Sequence, residues 1–312
     1  MIRPVREKFP LSLRSLRKVD EVKRPSSIWS RMLGNTKFRW GLTIFMLFVL
    51  MAILAPVISP YSPTLTSFTP LDPPSLKHLL GTTANGQDVL SQVIWGTRIS
   101  LGVGVGAGAL SIVISIAIGL LAGYKGGLAD KILTTVTNIV LVIPGLPLII
   151  VVAAYVRATG PLTIALVIGL TGWAWGARVL RSQSLSLASR DYVTAAKLQG
   201  NSDAYIIRQE ILPNMISLIV ANFVYSVLSA ILAEAALEFL GFGNVSDVSW
   251  GTMLYWANNG QALLSGAWWW FVPPGLAIAM VGASLALMNY GVDEIANPKL
   301  SVHRKRRANK RS

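Results

Sequence analysis

The chain has 312 residues, of which 53% are hydrophobic and 13% are charged, and its mean hydropathy is +0.54. A water-soluble domain of this length needs more polar surface, and the absence of cysteine excludes disulfides, thiol catalysis and thiolate metal sites. The net charge of +14 comes from basic residues that flank apolar runs instead of forming one stripe, which argues against a nucleic-acid surface.

Six apolar runs approach the roughly 20 residues that cross a bilayer core as a helix. The predicted spans are Gly41–Ile58, Ile99–Gly123, Ile132–Val156, Pro161–Ala177, Met215–Ala236 and Trp268–Tyr290. The basic tail before the first run is too long for the charged region of a signal peptide, so we expect the first span to be a retained anchor. The prediction is an all-α membrane protein with six transmembrane helices.

The basic residues predict the orientation of these spans. With six spans both termini lie on one side, and 25 of the 28 Lys and Arg residues then fall on that side. The positive-inside rule therefore predicts cytoplasmic termini. The expected organisation is a basic cytoplasmic tail at 1–40, a first helix and outer loop at 41–98, a five-helix core at 99–291 that contains a cytoplasmic loop at 178–214, and a second basic tail at 292–312.

The cytoplasmic loop contains a stretch, residues 191–214, with the pattern of two short helices around a hinge. Gly200 can adopt the left-handed conformation that ends the first helix, and Ser202 or Asn201 can cap the second. Pro213 is expected to end that second helix before the fifth span.

Ala195 and Ala196 leave the first short helix without bulk on one side. That surface suits close docking against another protein, and it equally suits a helical hairpin packed on its own bundle. The physical pattern alone favours neither interpretation.

The stretch resembles the "EAA" loop of ABC importer permeases, most closely the version found in the peptide family. The residues that match are Asp191, Tyr192, Val193, Ala195, Ala196, Gly200, Leu212, Pro213 and Asn214. The resemblance implies that this loop docks in a groove of the ATP-hydrolysing subunit and couples hydrolysis to transport. Glu210 departs from the pattern, because many relatives have His there, and it receives no coupling role.

Three further stretches extend the resemblance over about residues 30–300. They are residues 74–91, which carry His78, Gly81, Thr82, Gly86 and Asp88; residues 250–254, which begin Trp-Gly; and residues 273–276, Pro-Pro-Gly-Leu. Together they resemble the C-type permease subunit of dipeptide, oligopeptide and nickel importers, a binding-protein-dependent transport system component of the prokaryotic inner membrane. The fold implied is the type I ABC importer permease fold.

The resemblance also implies partners and a mechanism. No G-x-x-x-x-G-K-[ST] motif occurs in the chain, so ATP and Mg²⁺ are expected on partner subunits and not here. The implied partners are a second permease, two ATP-binding subunits and an extracytoplasmic solute-binding protein. The implied mechanism is alternating access, with no catalysis by this chain.

Ionisable groups inside the predicted spans are scarce, and the pair Glu234 and Glu238 lies four residues apart on one helix face. Glu234, which matches the resembled family, is a possible outer gate. The alternative is a pair neutralised by Arg98 or Arg157, or exposed to water; this alternative is favoured for Glu238. The two histidines, His78 and His303, have no metal-ligand neighbours at useful spacing, so no metal site is predicted.

Three other patterns have structural interpretations. The alternating glycines from Gly102 to Gly108 favour close helix packing, within the bundle or against a partner permease. Pro144 is expected to kink the third span, as a moving or a static bend. Residues Trp268–Trp270 are expected to anchor the last span at the membrane interface.

Competing functions have weaker support. An ion-coupled secondary transporter needs ionisable or carbonyl-lined sites at mid-depth, and an intramembrane enzyme needs a polar catalytic set. Peptides are the substrate that the resemblance implies. An oligosaccharide is the alternative, because Thr83 and Gln87 replace charged residues of the resembled outer loop and favour a neutral substrate.

Overall fold

A computed structural model describes the backbone of residues 28–156 and 160–296 and the side chains of residues 30–156 and 160–294. Most of both basic tails, Arg157 and His303 therefore lie outside the described residues. Apart from one isolated antiparallel bridge between Thr82 and Asp88, the described residues form helices and the loops that join them.

The first helices in chain order are α1 (Ile28–Gly34), α2 (Thr36–Ile58), α3 (Val89–Lys125), α4 (Gly127–Val142), α5 (Gly145–Val156), α6 (Pro161–Thr171) and α7 (Ala174–Ala188). They are followed by α8 (Asp191–Leu198), α9 (Asp203–Tyr205), a π-helical turn (Ile206–Ile211), α10 (Leu212–Phe239), α11 (Trp250–Asn259) and α12 (Trp268–Ala296). Residues 59–88 lie at one end of the bundle, called the loop end. Residues 189–202 lie at the other, called the segment end.

Four helices of the described chain are long and apolar enough to cross a membrane. They are Thr36–Ile58, Val89–Lys125, Asp203–Phe239 and Trp268–Glu294. Two bent helix pairs bring the number to six if each pair forms one span. The described chain thus has four to six candidate spans, and the helices extend beyond the predicted span boundaries. Helix α3, for example, has 37 residues and a length of about 55 Å, well beyond a bilayer core.

The predicted third span, Ile132–Val156, is not one straight crossing. Helices α4 and α5 meet at 90° around Ile143 and Pro144. Proline has no N–H to continue the helical ladder, which accounts for the break that the sequence predicts at Pro144. A bidentate contact holds the other end of α4 to α7: Arg181 donates to both carboxylate oxygens of Asp130, at 2.5 and 2.7 Å.

The predicted fourth and fifth spans also continue into the stretch expected to be loop. Helices α6 and α7 meet at 41° beside Gly172, and α7 runs on to Ala188. The stretch from Asp203 to Phe239 is one 37-residue helical unit. The prediction that Pro213 ends a helix is therefore wrong. Pro213 lies in the first turn of α10, where a missing N–H is tolerated. The π-helical turn before it joins α9 to α10 without ending the helical unit.

Helix α3 is central and packs against α2, α6, α7 and α10. The glycines of α3 divide between two faces. Gly104 and Gly108 lie directly against Ile231 and Val227 of α10, whereas nothing lies within 4 Å of the position where a Cβ would stand on Gly102 or Gly106. One glycine face therefore packs within the chain, and the other is open.

At the loop end, buried polar groups fix the start of α3. Asp88 caps the helix by accepting from the Ser91 amide at 2.8 Å, and its other oxygen contacts His78 Nδ1 at 3.0 Å. Of residues Trp268–Trp270, which are expected to anchor the last span at the membrane interface, Trp268 is exposed. Trp269 donates to Thr82 O at 3.1 Å, and Trp270 is buried.

Candidate functional site

Helix α8 at the segment end has one inward and one outward face. Val193 and Ala196, three residues apart, are buried in a cluster with Leu180, Ile206 and Met215. The outward face consists of exposed residues: Asp191, Tyr192, Thr194, Ala195, Lys197 and Leu198. The helix is therefore fixed to its own bundle by one side and presents the other to its surroundings.

The turn after α8 has the local geometry that the sequence predicts. Gly200 has φ of +79°, and nothing lies within 4 Å of the place where its Cβ would stand. Ser202 is the cap of α9, with its hydroxyl accepting from the Tyr205 amide at 3.3 Å. Gly200 is thus required for its backbone conformation and not for close packing.

The Leu-Pro-Asn end of the stretch joins the segment to the long helix α10. The Leu212 amide donates to Ile207 O, five residues back, so the ladder is one residue wider than an α-helix there. Pro213 supplies no donor. The side chain of Asn214 donates to Glu210 O at 2.6 Å, and this bond supports the widened turn.

A second set of contacts joins the segment to α3. The hydroxyl of Tyr124, at the end of α3, donates to Asp203 Oδ1 at 2.8 Å. The ammonium of Lys197 lies 4.9 Å from the centre of the same ring, a cation–π distance. Both halves of the segment therefore contact one side chain of the central helix.

The structure brings the predicted residues 191–200 and 212–214 into one unit, but they do not share one surface. Ala195 faces outward, whereas Ala196 packs inward, so the two alanines have different environments. The sequence pattern does not single out Leu198, which is 85% exposed. The signal available was its position two residues before the hinge glycine, on an otherwise polar face.

Glu234 lies at the junction of α3, α10 and α11 and is fully buried. Its Oε1 accepts from Ser100 Oγ at 3.0 Å, and the Ser100 oxygen accepts from the Trp250 amide at 3.2 Å. Within the described residues Oε2 of Glu234 has no hydrogen-bond partner.

Glu238 is buried as well, and the Ser249 hydroxyl donates to its Oε2. The expectation that this pair is exposed to water or neutralised by Arg98 is therefore wrong. Arg98 is exposed and lies 5.9 Å from the Trp95 ring. Ser100 is 134 residues from Glu234, and Ser249 lies 11 residues from Glu238 in the loop before α11, so no pattern within α10 could indicate either contact.

Thr83 and Gln87, interpreted from the sequence as a sign of a neutral substrate, lie in a turn at the loop end. Thr83 is fully buried, and its Oγ1 accepts from the amides of Asn85 and Gln87 at 3.2 and 3.1 Å. Thr83 thus has a structural role. Gln87 lines a cleft between residues 59–88 and the loop before α11, together with Gln92, Asp247 and Trp256.

In the part of the chain that the structure describes, no group of three or more His, Asp or Glu side chains could hold a metal ion. What the arrangement provides is a helix with one anchored and one exposed face, joined rigidly to two long candidate spans. A helical chain with four to six candidate spans fits the fold of a membrane permease.

Comparison with known proteins agrees with this class. Residues 115–302 match the family described as "Binding-protein-dependent transport system inner membrane component", and residues 26–75 match the "N-terminal TM domain of oligopeptide transport permease C". The chain belongs to the first of these families, which confirms the resemblance seen in the sequence. It is an inner-membrane component of a transport system.

Among its relatives, the dipeptide transport system permease protein DppC of Bacillus subtilis (strain 168) is 36% identical over 304 residues, which cover 94% of this chain and 93% of that protein. The oligopeptide transport system permease protein OppC of the same organism is 34% identical, with 89% and 92% covered. The OppC protein of Mycobacterium tuberculosis (strain ATCC 25618 / H37Rv) is 32% identical, with 88% and 94% covered. These relatives are named as transport system permease proteins.

Proposed function

We propose that this chain forms half of the translocation pathway of an ABC importer for peptides and receives the ATP-driven movement through residues 191–214. The observation that carries the proposal is the two-sided α8. Val193 and Ala196 fix it to the bundle, while Tyr192 and Leu198 stand exposed at the segment end. An apolar side chain that is exposed at the segment end, as Leu198 is, is available to contact a partner protein.

The proposed topology has six spans, with each bent helix pair counted as one, and both termini in the cytoplasm. The support is the distribution of basic residues, because it places 25 of 28 on one side. The segment end is then cytoplasmic and the loop end extracytoplasmic. The 1–40, 41–98, 99–291 and 292–312 organisation follows from the same topology.

The proposed partners are two ATP-binding subunits at the segment end, a second permease beside this chain, and an extracytoplasmic solute-binding protein at the loop end. ATP and Mg²⁺ bind to the ATP-binding subunits. Their closure pushes α8, and the anchored face passes the movement to α7 and α10 through the contacts around Ile206 and Met215. The bundle then alternates between inward- and outward-facing states.

The test compares two highly exposed leucines in the assembled complex. Leu198→Asp places a charge on the proposed contact face, and Leu76→Asp places one at the loop end, where the leucine is 97% exposed. We expect Leu198→Asp to release the ATP-binding subunits during purification or to abolish transport-linked ATP hydrolysis. Leu76→Asp should leave the ATP-binding subunits attached. Attachment and coupling that survive Leu198→Asp would exclude this face as the contact.

The peptide assignment rests on the relatives, which are named as dipeptide and oligopeptide permeases. It is tested separately, by measuring which solutes the cognate binding protein retains from dipeptides, longer peptides and oligosaccharides. Peptide binding supports the assignment. Binding of oligosaccharides alone would replace peptide with glycan and would leave the permease role intact.

A further inference from the structure

The middle of α10 carries a polar stripe on one face. Asn222, Tyr225, Ser226 and Ser229 fall within an arc of about 100° at helical periodicity. Residue 225 is midway between Leu212 and Phe239, the ends of α10, and Asn222 is one residue from the middle of the candidate span Asp203–Phe239. The polar side chains are therefore grouped at half depth in a candidate span, where apolar residues are otherwise the rule.

The hydroxyl groups of this stripe lack the bonds to their own helix that some other span residues form. Thr97 and Thr137 donate to the carbonyl four residues back, at 2.9 and 2.7 Å. The hydroxyls of Tyr225, Ser226 and Ser229 have no hydrogen-bond partner in the part of the chain that the structure describes. Asn222 uses its amide nitrogen for Leu218 O, and its oxygen stays free for another donor.

A polar stripe with free hydroxyls is costly against hydrocarbon, because lipid offers no hydrogen-bond partner. The stripe borders an open-sided cavity of about 80 Å³ between α10, α3 and the bent pair α6–α7. Ser111 of α3 and Trp175 of α7 line the same cavity, and Trp175 is 52% exposed. This arrangement favours a water-filled space on this face.

The cavity also lies beside a break in a candidate span. Gly172, at the 41° bend between α6 and α7, is one of its lining residues. Broken helices at half depth are common where transporters bind their substrates. No Asp, Glu, Lys or Arg lines this cavity within the described residues, so its chemistry is hydrogen bonding and aromatic contact.

We propose that the Asn222–Ser229 stripe, with Trp175, is the surface of this subunit that the substrate contacts at half depth. This proposal rests on the proposed function and adds the chemistry of the contact. The neutral amide and hydroxyl groups hydrogen-bond the backbone amides of the peptide, and the indole ring of Trp175 contacts its apolar side chains. An uncharged wall tolerates peptides of different side-chain charge. It also holds each one weakly enough to release it.

The absence of cysteine in the natural chain makes a direct test possible. Ser229→Cys introduces one thiol on the stripe with almost no change of volume. Leu47→Cys is the control, because Leu47 lies in the middle of α2 and is 60% exposed in this chain. Each variant is assembled with its partner subunits in lipid vesicles and treated with a charged, water-soluble thiol reagent, with and without a transported peptide and ATP.

We expect Ser229→Cys to react at least about tenfold faster than Leu47→Cys, because a thiol in hydrocarbon is neither ionised nor reached by the reagent. Excess peptide should slow the reaction of Ser229→Cys several-fold and leave the control unchanged. If both variants are labelled equally slowly in a complex that still imports peptide, the proposed contact site is wrong and the importer role is unaffected. Fast labelling that peptide does not slow would also overturn the proposed contact site, since the space would then hold water without substrate contact. A complex in which even the natural chain imports no peptide overturns the peptide assignment of the proposed function.

Discussion

Tyr124 at the end of α3 donates a 2.8 Å hydrogen bond to Asp203, 79 residues later in the chain. The bond joins the longest helix of the core to the start of the helical unit that contains α10. Lys197 of α8 lies over the same ring. One tyrosine therefore connects the exposed helix α8, the turn after Gly200 and the central helix.

Tyr124→Phe is predicted to weaken this connection without removing the ring. The lost hydrogen bond is worth about 0.5–1.5 kcal/mol, so the fold should survive while movement of α8 is passed less completely to α3. We expect less peptide imported per ATP hydrolysed. The measurement is the ratio of transport to hydrolysis in reconstituted complexes.

The matched control for this change is Tyr155→Phe. Tyr155 is 91% exposed on α5 and makes no side-chain hydrogen bond in the described part of the chain. The ratio of transport to hydrolysis in the Tyr155→Phe variant should equal that of the natural protein. An unchanged ratio in Tyr124→Phe as well would show that the bond has no part in coupling.

Local features of the segment were predictable from sequence because local chemistry determines them. Gly200 has the left-handed backbone expected of a hinge glycine, and Ser202 forms the expected cap. The course of the chain through Pro213 was not predictable. It depends on a widened turn that Ile206 and Ile211 stabilise by packing into the bundle.

The environment of Glu234 was beyond sequence reasoning for a related reason. Its partner Ser100 is 134 positions away, and Ser249 completes the arrangement from the loop before α11. A carboxyl group near the end of a predicted span has the same local pattern whether it meets water, an arginine or a buried serine. Helix packing decides among these, and a single sequence does not encode that packing in any short pattern.

Glu234→Gln and Glu234→Ala separate a structural role from a gating role. The amide of Gln can still accept from Ser100 and can donate to Glu238, so we expect the glutamine variant to keep its stability and to transport. Alanine leaves a cavity and an unpaired Ser100 hydroxyl. This should lower the free energy of unfolding by about 2–4 kcal/mol. Thermal unfolding in detergent and transport in vesicles measure the two effects.

A different result would identify a gate. If Glu234→Gln keeps the unfolding temperature of the natural protein but stops transport, a carboxyl group is required at this position for the transport cycle and not for folding. The expected outer gate would then be supported. Leu232→Gln, on the exposed face of the same helix, controls for the effect of a new amide on assembly.

Asp88→Ala is predicted to loosen the start of α3. The carboxylate accepts from the Ser91 amide and hydroxyl and contacts His78, and loss of a helix cap alone costs about 0.5–2 kcal/mol. Asp88→Asn should cost less, because asparagine caps helices nearly as well. Hydrogen exchange of the first turn of α3 is the measurement, with fast exchange expected in the alanine variant only. Equal exchange in both would mean that the contact with His78 dominates.

Gly108→Val and Gly106→Val distinguish the two glycine faces of α3. A Cβ on Gly108 would stand 2.9 Å from the backbone of Val227, which cannot move without displacing α10. We therefore expect overpacking to destabilise the subunit by about 1–3 kcal/mol. Nothing lies within 4 Å of the equivalent position on Gly106, so the isolated subunit should keep its unfolding temperature. If Gly106→Val instead lowers the yield of the assembled complex while the subunit stays folded, the open glycine face packs against another subunit. If both variants unfold at the temperature of the natural chain, α3 and α10 do not approach as closely as Gly104 and Gly108 require.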